Sequence, residues 1–372
     1  MKRAPARVDD KSGMMSELGA KRLKIGVLGC GPIAQAAHFE SAAKAANAEL
    51  YAICDVAEDL LARMAATHRP QKTYTDYDAM LADPAIDAII IAAADAFHVP
   101  ASIAALQAGK HVLCEKPLGV GVEEVEALRQ AVRASGRVLQ VGHMKRFDIG
   151  LQSAKAFVDG EMGELLALKA WYCDSTHRYA MTDAVQPTIV KSAQARRPAQ
   201  NPKADLKRYF LLAHGSHLVD TARYFGGQII EVDARLREAF GAYCWFIDVA
   251  FASGALGHLD LTIPVRMDWN EGFQIYGKNG SVTAKTYNPW YFRSSDVEIF
   301  HESNATTTRA LGADGHFYRR QLEGFAATIM DGAPMQGADI DDGVACVRAL
   351  VAISRSAATR KAVRLADVDG PV

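Results

Sequence analysis

Six consecutive residues, Gly29-Cys30-Gly31-Pro32-Ile33-Ala34, follow the apolar run Leu23–Leu28 and open an alanine-rich run. The first glycine permits a tight turn, the second lets backbone approach a pyrophosphate, and Ala34 permits close packing of helix on strand. Free N–H groups at the helix start then receive phosphate charge. Asp55 ends a second apolar run, 21 residues after Ala34. A carboxylate there accepts hydrogen bonds from the adenine-ribose hydroxyls and repels a 2′-phosphate. Asp55-Val56-Ala57 holds no Arg or Lys to bind such a phosphate. The coenzyme these residues fit is NAD, with Gly29, Gly31, Pro32, Ile33, Ala34 and Asp55 as its binding residues.

Proton-carrying residues accompany this motif. Lys116 stands in Glu115-Lys116-Pro117, and His214 and His217 in Leu212-Ala213-His214-Gly215-Ser216-His217. A lysine desolvated beside a nicotinamide cation titrates in a range useful for catalysis. His217 lies near the start of an expected helix, whose dipole disfavours imidazolium and keeps the ring a neutral base. No carboxylate or thiol stands at ligand spacing beside the two histidines, so no metal is expected. A second cluster sits at strand ends, where open parallel sheets bind ligands. It offers Ala93, Asp95 and His98, then Glu115, to the coenzyme, and His143, Arg146 and Asp148 to a substrate. Asp148 and Asp174 can accept hydrogen bonds from a substrate's hydroxyls or be solvated loop acids. Tyr243, Trp245 and Trp290 can stack on a ligand or fill a core. The segment Lys191–Arg208 carries six cations against Asp205. Its Arg196, Arg197 and Arg208 are candidates to clamp a carboxylate, sulfonate or phosphate; the alternative is an oligomer contact or a solvated loop.

The elements that must position these groups are legible in part. Residues 23–145 alternate strand and helix signals. Strands are expected at Leu23–Leu28, Glu49–Cys54, Ile86–Ala92, His111–Cys114 and Val138–Val141. Helices are expected at Ile33–Ala46, Ala57–His68, Pro100–Gly109 and Val122–Ser135. Such alternation means βαβ units and an open parallel sheet. Beyond residue 145 a polar stretch, Asp174–Tyr209, leads into one helix, His217–Phe225. Six strand-like runs follow between Ile229 and Phe300, and two helices close the chain, near His316–Asp331 and Asp341–Ala358. Turns such as Lys278-Asn279-Gly280 mark antiparallel meanders. The expectation is an α/β chain: a Rossmann domain over 23–145, then an α/β domain over 146–372, with 1–22 a disordered tail.

Composition narrows the function. The chain has 372 residues, 42 Lys plus Arg, 43 Asp plus Glu and a net charge of −1. Nothing in that balance draws it to nucleic acid or an anionic membrane. No apolar run reaches the roughly 20 residues of a membrane helix, and the first 22 lack the apolar stretch of a signal peptide. Six scattered cysteines without a CxxC pair fit a reducing cytoplasm.

The nucleotide fingerprint, the Ala92–Pro100 segment, Glu115-Lys116-Pro117, Gln140–Asp148 and Gly215–Asp220 together resemble the Gfo/Idh/MocA oxidoreductases, which include inositol and sugar dehydrogenases. The resemblance covers nearly the whole chain after residue 22. It implies a Rossmann domain followed by an α/β domain built on a large open, mainly antiparallel sheet, which usually mediates oligomers, here a homodimer or homotetramer. It assigns the chemistry to Lys116 and His217, in a cleft that takes a carbohydrate. One position departs. The family commonly has Asp four residues before the histidine, where this chain has Ala213. The first reading is therefore an NAD-dependent oxidoreductase acting on a secondary alcohol of a sugar, sugar acid, glycoside or inositol. A second is a glycosidase that cycles NAD in place: it oxidises C3, eliminates the aglycone, adds water and reduces again, with His214 as the extra base. A third is a non-catalytic NAD-binding regulator, against which the retention of Lys116 and His217 argues.

Overall fold

The computed structural model describes residues 21–175, 187–196, 198–199, 202–313 and 315–372. The expected tail thus falls almost wholly outside the described residues, and so does Arg197. The first sheet takes strands β1 (Leu23–Leu28), β2 (Ala48–Cys54), β3 (Lys72–Tyr74), β4 (Ala88–Ile91), β5 (His111–Cys114) and β6 (Leu139–Val141). Their order is β3-β2-β1-β4-β5-β6, all parallel. Order reverses between β1 and β4, which places the ligand crevice at the carboxyl ends of those strands. β4 explains why its sequence is continuously apolar. Ala88 and Ile90 pack into one core, Ile89 and Ile91 into the other, because helices cover both faces.

The helices of this half are α1 (Phe39–Lys44), α2 (Glu58–His68), α3 (Tyr77–Leu81), α4 (His98–Gln107) and α5 (Val122–Ser135). A π-helical turn, Ala34–His38, leads into α1, so the expected single helix over 33–46 opens wide instead of as a regular α turn. β3 and α3 are short and carry little periodicity, and the sequence gives no sign of either.

The second half begins with α6 (Ile149–Gly160) and β7 (Leu165–Ser175), neither anticipated. Asp148 caps α6 by accepting from the Gly150 N–H. Then come α7 (Leu206–Phe210), a π turn (Leu211–Gly215) and α8 (Ser216–Gly226). The strands β8 (Ile229–Ala239), β9 (Ala242–Phe251), β10 (Leu256–Val265), β11 (Asn270–Gly277), β12 (Gly280–Thr286), β13 (Asp296–His301), β14 (Thr306–Arg309) and β15 (Val363–Arg364) join β7. The sheet runs β14-β13-β12-β11-β7-β10-β9-β8-β15 and is antiparallel except where β10 lies parallel to β7. The helices α9 (Phe317–Asp331) and α10 (Ile340–Thr359) complete the chain.

α9 does not stay with the second half. Leu322, Phe325 and Ala326 are buried in the same core as Ile25, Val27 and Ile53 of the first sheet. Packing therefore ties the last third of the sequence to the Rossmann sheet, and the division at residue 146 describes the chain order better than the contacts.

Candidate functional site

The glycine turn has the shape a pyrophosphate needs. Gly29 sits at φ +96°, and a Cβ there would lie 2.8 Å from the Ala92 carbonyl oxygen. A Cβ on Gly31 would meet nothing within 4 Å, so open space faces the turn where a phosphate approaches backbone. Asp55 holds this turn directly: its Oδ2 accepts from the Cys30 N–H at 2.8 Å and its Oδ1 from the Ala57 N–H at 2.9 Å. These residues fit a dinucleotide, and they would hold NAD between the glycine turn and the end of β2.

A segment of the second half crosses this groove. The Gln35 amide donates to the carbonyls of Cys30 at 2.8 Å and Val190 at 2.9 Å, and its oxygen accepts from the Val190 N–H at 2.8 Å. Ser192 donates to Asp59 at 2.6 Å, and the Arg196 guanidinium lies 4.8 Å from the Phe97 ring centre. The strap 190–196 thus touches the helical turns that follow β1, β2 and β4.

Glu115 and His98, expected on the coenzyme, are engaged by groups of the chain itself. Glu115 is buried, with Oε1 2.9 Å from His38 Nε2 and Oε2 accepting from the Lys116 N–H. Burial raises its carboxyl, but the His38 hydrogen bond and the charges of His38 and Lys116 outweigh that and hold it below its usual range. The His98 ring bridges the carbonyls of Pro117 and Ala93, at 2.7 and 3.1 Å, and braces the cis Lys116–Pro117 turn against the end of β4. Ala93 and Asp95 stand at that strand end, Asp95 opening a 3-10 turn.

Lys116 reaches across the domains. Its Nζ donates to the Ala213 carbonyl at 2.9 Å. The position where the family carries an acid therefore meets the lysine through its backbone. His214 and His217 lie on one helical face beside this contact. His217 stacks parallel on Tyr172, ring centres 5.9 Å apart, and meets His143 edge-on at 6.5 Å. His214 Nδ1 lies 3.3 Å from the Tyr172 hydroxyl and 3.6 Å from Asp174 Oδ2.

The helix-dipole argument for His217 fails. Gly215 is helical at φ −59°, ψ −32°, so α8 continues from α7 through the π turn and presents no helix start. His217 is nevertheless held well below the ordinary imidazole range. Burial is the largest cause, followed by the charges of Lys116 and Lys145 and the neighbouring His143 and His214.

Sequence reasoning missed Lys145, Tyr172, Glu271 and Trp269. Lys145 makes a buried ion pair with Glu271 and lies 4.5 Å from the Tyr172 ring centre and 5.9 Å from Trp269. Burial pulls the Lys145 ammonium down and the Glu271 carboxyl up, both toward neutrality. Reading β7 as a strand would have exposed part of this, since Tyr172 and Asp174 are two apart and share a face.

Several expected substrate residues have other work. Arg146 is buried and bound to Asp220 through Nη2 at 2.7 Å and Nε at 3.1 Å, and to Asp342 through Nη1 at 2.7 Å. A guanidinium without those carboxylates could not be buried there. His143 is also buried, its Nδ1 3.8 Å from Asp220. Asp148 caps α6 and accepts from the N–H and hydroxyl of Ser295 at 3.0 and 2.6 Å. Arg208 donates to the Val372 carbonyl at 2.7 Å. Trp245 is core, with Tyr243 stacked beside it, and Trp290 stacks on Tyr318. Of the three arginines proposed as a clamp, Arg196 is the one the structure describes near the cleft. Among the described residues, no group of three or more metal-ligating side chains occurs, and no helix is long and apolar enough to cross a membrane.

Comparison with known proteins agrees with this architecture. Residues 23–143 match the oxidoreductase family's NAD-binding Rossmann fold, and residues 190–365 match its C-terminal alpha/beta domain. The myo-inositol 2-dehydrogenase of Thermotoga maritima is 26% identical over 365 residues, covering 94% of this chain and 100% of that one. Inositol 2-dehydrogenase 2 of Saccharopolyspora erythraea is 27% identical over 359 residues, 91% of this chain and 94% of that one. The structure of levoglucosan dehydrogenase with NADH and L-sorbose superposes with a TM-score of 0.76 at 21% identity, covering 93% of this chain and 99% of that one, and so shares the fold. With both domains matched in order, the reading as a non-catalytic regulator falls away. The chain belongs to the Gfo/Idh/MocA family of NAD-binding oxidoreductases.

Proposed function

We propose that the protein is an NAD-dependent dehydrogenase of a secondary alcohol on a cyclic polyol or sugar, with inositols as the first substrates to test. The observation that carries this is the Lys116 Nζ contact with Ala213 O. It draws the end of β5, beside the glycine turn, onto the helix face that bears His214 and His217. When bound, NAD accepts the hydride that leaves the carbinol carbon. The chain must then remove one proton from the hydroxyl and stabilise the oxygen as it becomes a carbonyl.

The residues divide this work by chemistry. Lys116, a cation anchored by a backbone carbonyl, is suited to the developing oxygen charge. The imidazoles beside it offer the ring nitrogens through which the proton can move. Tyr172 and Asp174 on β7 add hydroxyl-binding atoms of the kind a polyol requires. The similarity to proteins named inositol 2-dehydrogenases supports the same substrate class.

The test is a panel of inositols, neutral sugars, sugar acids and aryl glycosides with NAD, followed through NADH absorbance and aglycone release. Accumulation of NADH with a polyol is the expected result. Release of aglycone without NADH would replace this reading with the glycosidase. No turnover of any polyol would overturn it.

A further inference from the structure

We propose that His214, with Asp174 as its acidic partner, is the general base of this enzyme, and that His217 positions the substrate oxygen as a neutral hydrogen-bond donor. This rests on the dehydrogenase reading above. It departs from the assignment that the family resemblance gives to His217.

The argument starts from what each imidazole would have to do after taking a proton. A general base becomes a cation, and its neighbours decide whether that cation is tolerated. At His217 the neighbours are Lys116, Lys145, His143 and His214, each of which opposes a positive charge. Among the described residues, no carboxylate makes an ion pair with His217. Asp220 is engaged by Arg146, and Glu271 by Lys145. The residue that would supply an acid one turn earlier is Ala213, and its carbonyl accepts from Lys116 instead.

At His214 the arrangement is reversed. Asp174 Oδ2 lies 3.6 Å from Nδ1, and the Tyr172 hydroxyl lies 3.3 Å from the same nitrogen. Both of these contacts fall on Nδ1, and on the proposed assignment that nitrogen carries the hydrogen while Nε2 takes the transferred proton. A carboxylate that orients an imidazole through one nitrogen while the other accepts a proton is the arrangement of a working base. Phe210 packs on the ring at 5.8 Å and limits its rotation. The acid missing from helix position 213 is thus supplied by strand β7, to the histidine three residues earlier.

The step balances. The substrate O–H bond breaks, and its proton goes to His214 Nε2, leaving an imidazolium paired with Asp174. The carbinol hydrogen leaves with its electron pair to NAD, the oxidant of the family's reaction. The oxygen becomes a ketone against Lys116 and His217.

Two measurements test the assignment. The first needs no substrate: histidine ring nitrogens of the NAD-saturated protein are followed by nitrogen-15 NMR against pH, with peaks assigned from His214→Ala and His217→Gln. The ring of His214 should become protonated on acidification, at a lower pH in Asp174→Asn, while His217 stays neutral across the range in which His214 titrates. A His217 ring that titrates first, or a His214 ring indifferent to Asp174→Asn, would overturn the proposal. The second is kinetic, on any polyol the wild type turns over. His214→Ala should lose about 100-fold or more in kcat, the usual worth of a general base. His217→Gln, which keeps a donor, should stay within about tenfold, with the loss mainly in KM. Asp174→Asn should move the acid limb of the kcat profile to lower pH. The groups facing His214 in that profile are Asp174 and Tyr172 on β7, Lys116 after β5, and His217 on its own helix. A large kcat loss in His217→Gln with a mild one in His214→Ala would refute the assignment. Failure of the whole polyol panel would sink the dehydrogenase reading, while the NMR result would still decide which ring is the base.

Discussion

Replacing Asp55 by Ala should weaken NAD binding and erase most of the preference for NAD over NADP. Its two oxygens hold the Cys30 and Ala57 N–H groups at 2.8 and 2.9 Å, and the coenzyme's ribose hydroxyls would add donors to the same carboxylate. A hydrogen bond to a charged acceptor contributes about 1.5–3 kcal/mol. Loss of the ribose contact alone then weakens NAD about 10- to 150-fold. For NADP the carboxylate acts by repulsion. One unit of phosphate charge about 4 Å away costs about 4 kcal/mol at an effective dielectric near 20. Asp55 is half-buried, and salt screens about half of that, leaving about 2 kcal/mol, or about 30-fold, of discrimination. The assay is fluorescence titration of NADH and NADPH at low and high salt, with thermal melting as the control for the freed glycine-turn N–H. Asp55→Asn separates the contributions, since it keeps one acceptor and loses the charge: it should recover NAD affinity in part and NAD preference hardly at all. An Asp55→Ala protein whose NAD-to-NADP ratio stays within about threefold of wild type would refute the reasoning, as would tighter NADPH binding by the unmutated protein.

Three further outcomes follow from the same geometry. Lys145→Met leaves Glu271 buried without its cation and should lose about 3–5 kcal/mol of stability; adding Glu271→Leu should restore most of it, and denaturant unfolding of both variants checks this. His143 and His217 are held below the ordinary 6.5, first by burial and then chiefly by neighbouring cations, for His143 against Asp220. The unfolded chain therefore takes up more protons once the pH drops beneath 6.5, so stability should be full above that value and fall progressively below it; melting temperatures between pH 8 and pH 5 measure the slope, which His143→Phe should flatten. Ser192→Ala removes the strap's bond to Asp59, and at about 1 kcal/mol per hydrogen bond it should speed NADH release about fivefold, read by stopped-flow fluorescence; an unchanged release rate would show that the strap does not govern coenzyme exit.

The parts of the site that were legible in the sequence are those whose chemistry is local. Gly29, Gly31 and Asp55 stand within one βαβ unit, and their spacing alone implies the phosphate turn and the ribose acceptor. Lys116 and His217 were singled out through the triplets around them. What the sequence hides is contact between remote segments. Lys145 and Glu271 are 126 residues apart, and Arg146 and Asp342 are 196 apart. Arg146 and Asp148 resembled substrate ligands because they are polar and follow a strand end. Burial turns them instead into the groups that lock the segment after β6 to α8, α10 and the Ser295 loop. The Lys191–Arg208 cations looked like one patch, yet Arg196 crosses the coenzyme groove while Arg208 binds Val372. Charge density in a sequence says nothing about the direction in which successive side chains point once a strap becomes a helix.

The two histidines show why position in a motif and role in a reaction can separate. Ala213-His214-Gly215-Ser216-His217 places both rings on one helical face, and nothing local to that pentapeptide distinguishes them as bases. The distinction comes from strands and loops that arrive from elsewhere. β7 brings a carboxylate and a phenol to His214. β7 also brings the face of Tyr172 to His217, and behind that ring stands Lys145. One imidazole therefore has a counter-ion for the charge it would gain, while the other stands among ammonium groups. On the proposed assignment, the acid absent at 213 is replaced by Asp174, which a different element brings beside His214. The field at each ring, set by burial and by the charges within a few ångströms, decides which nitrogen can hold a proton.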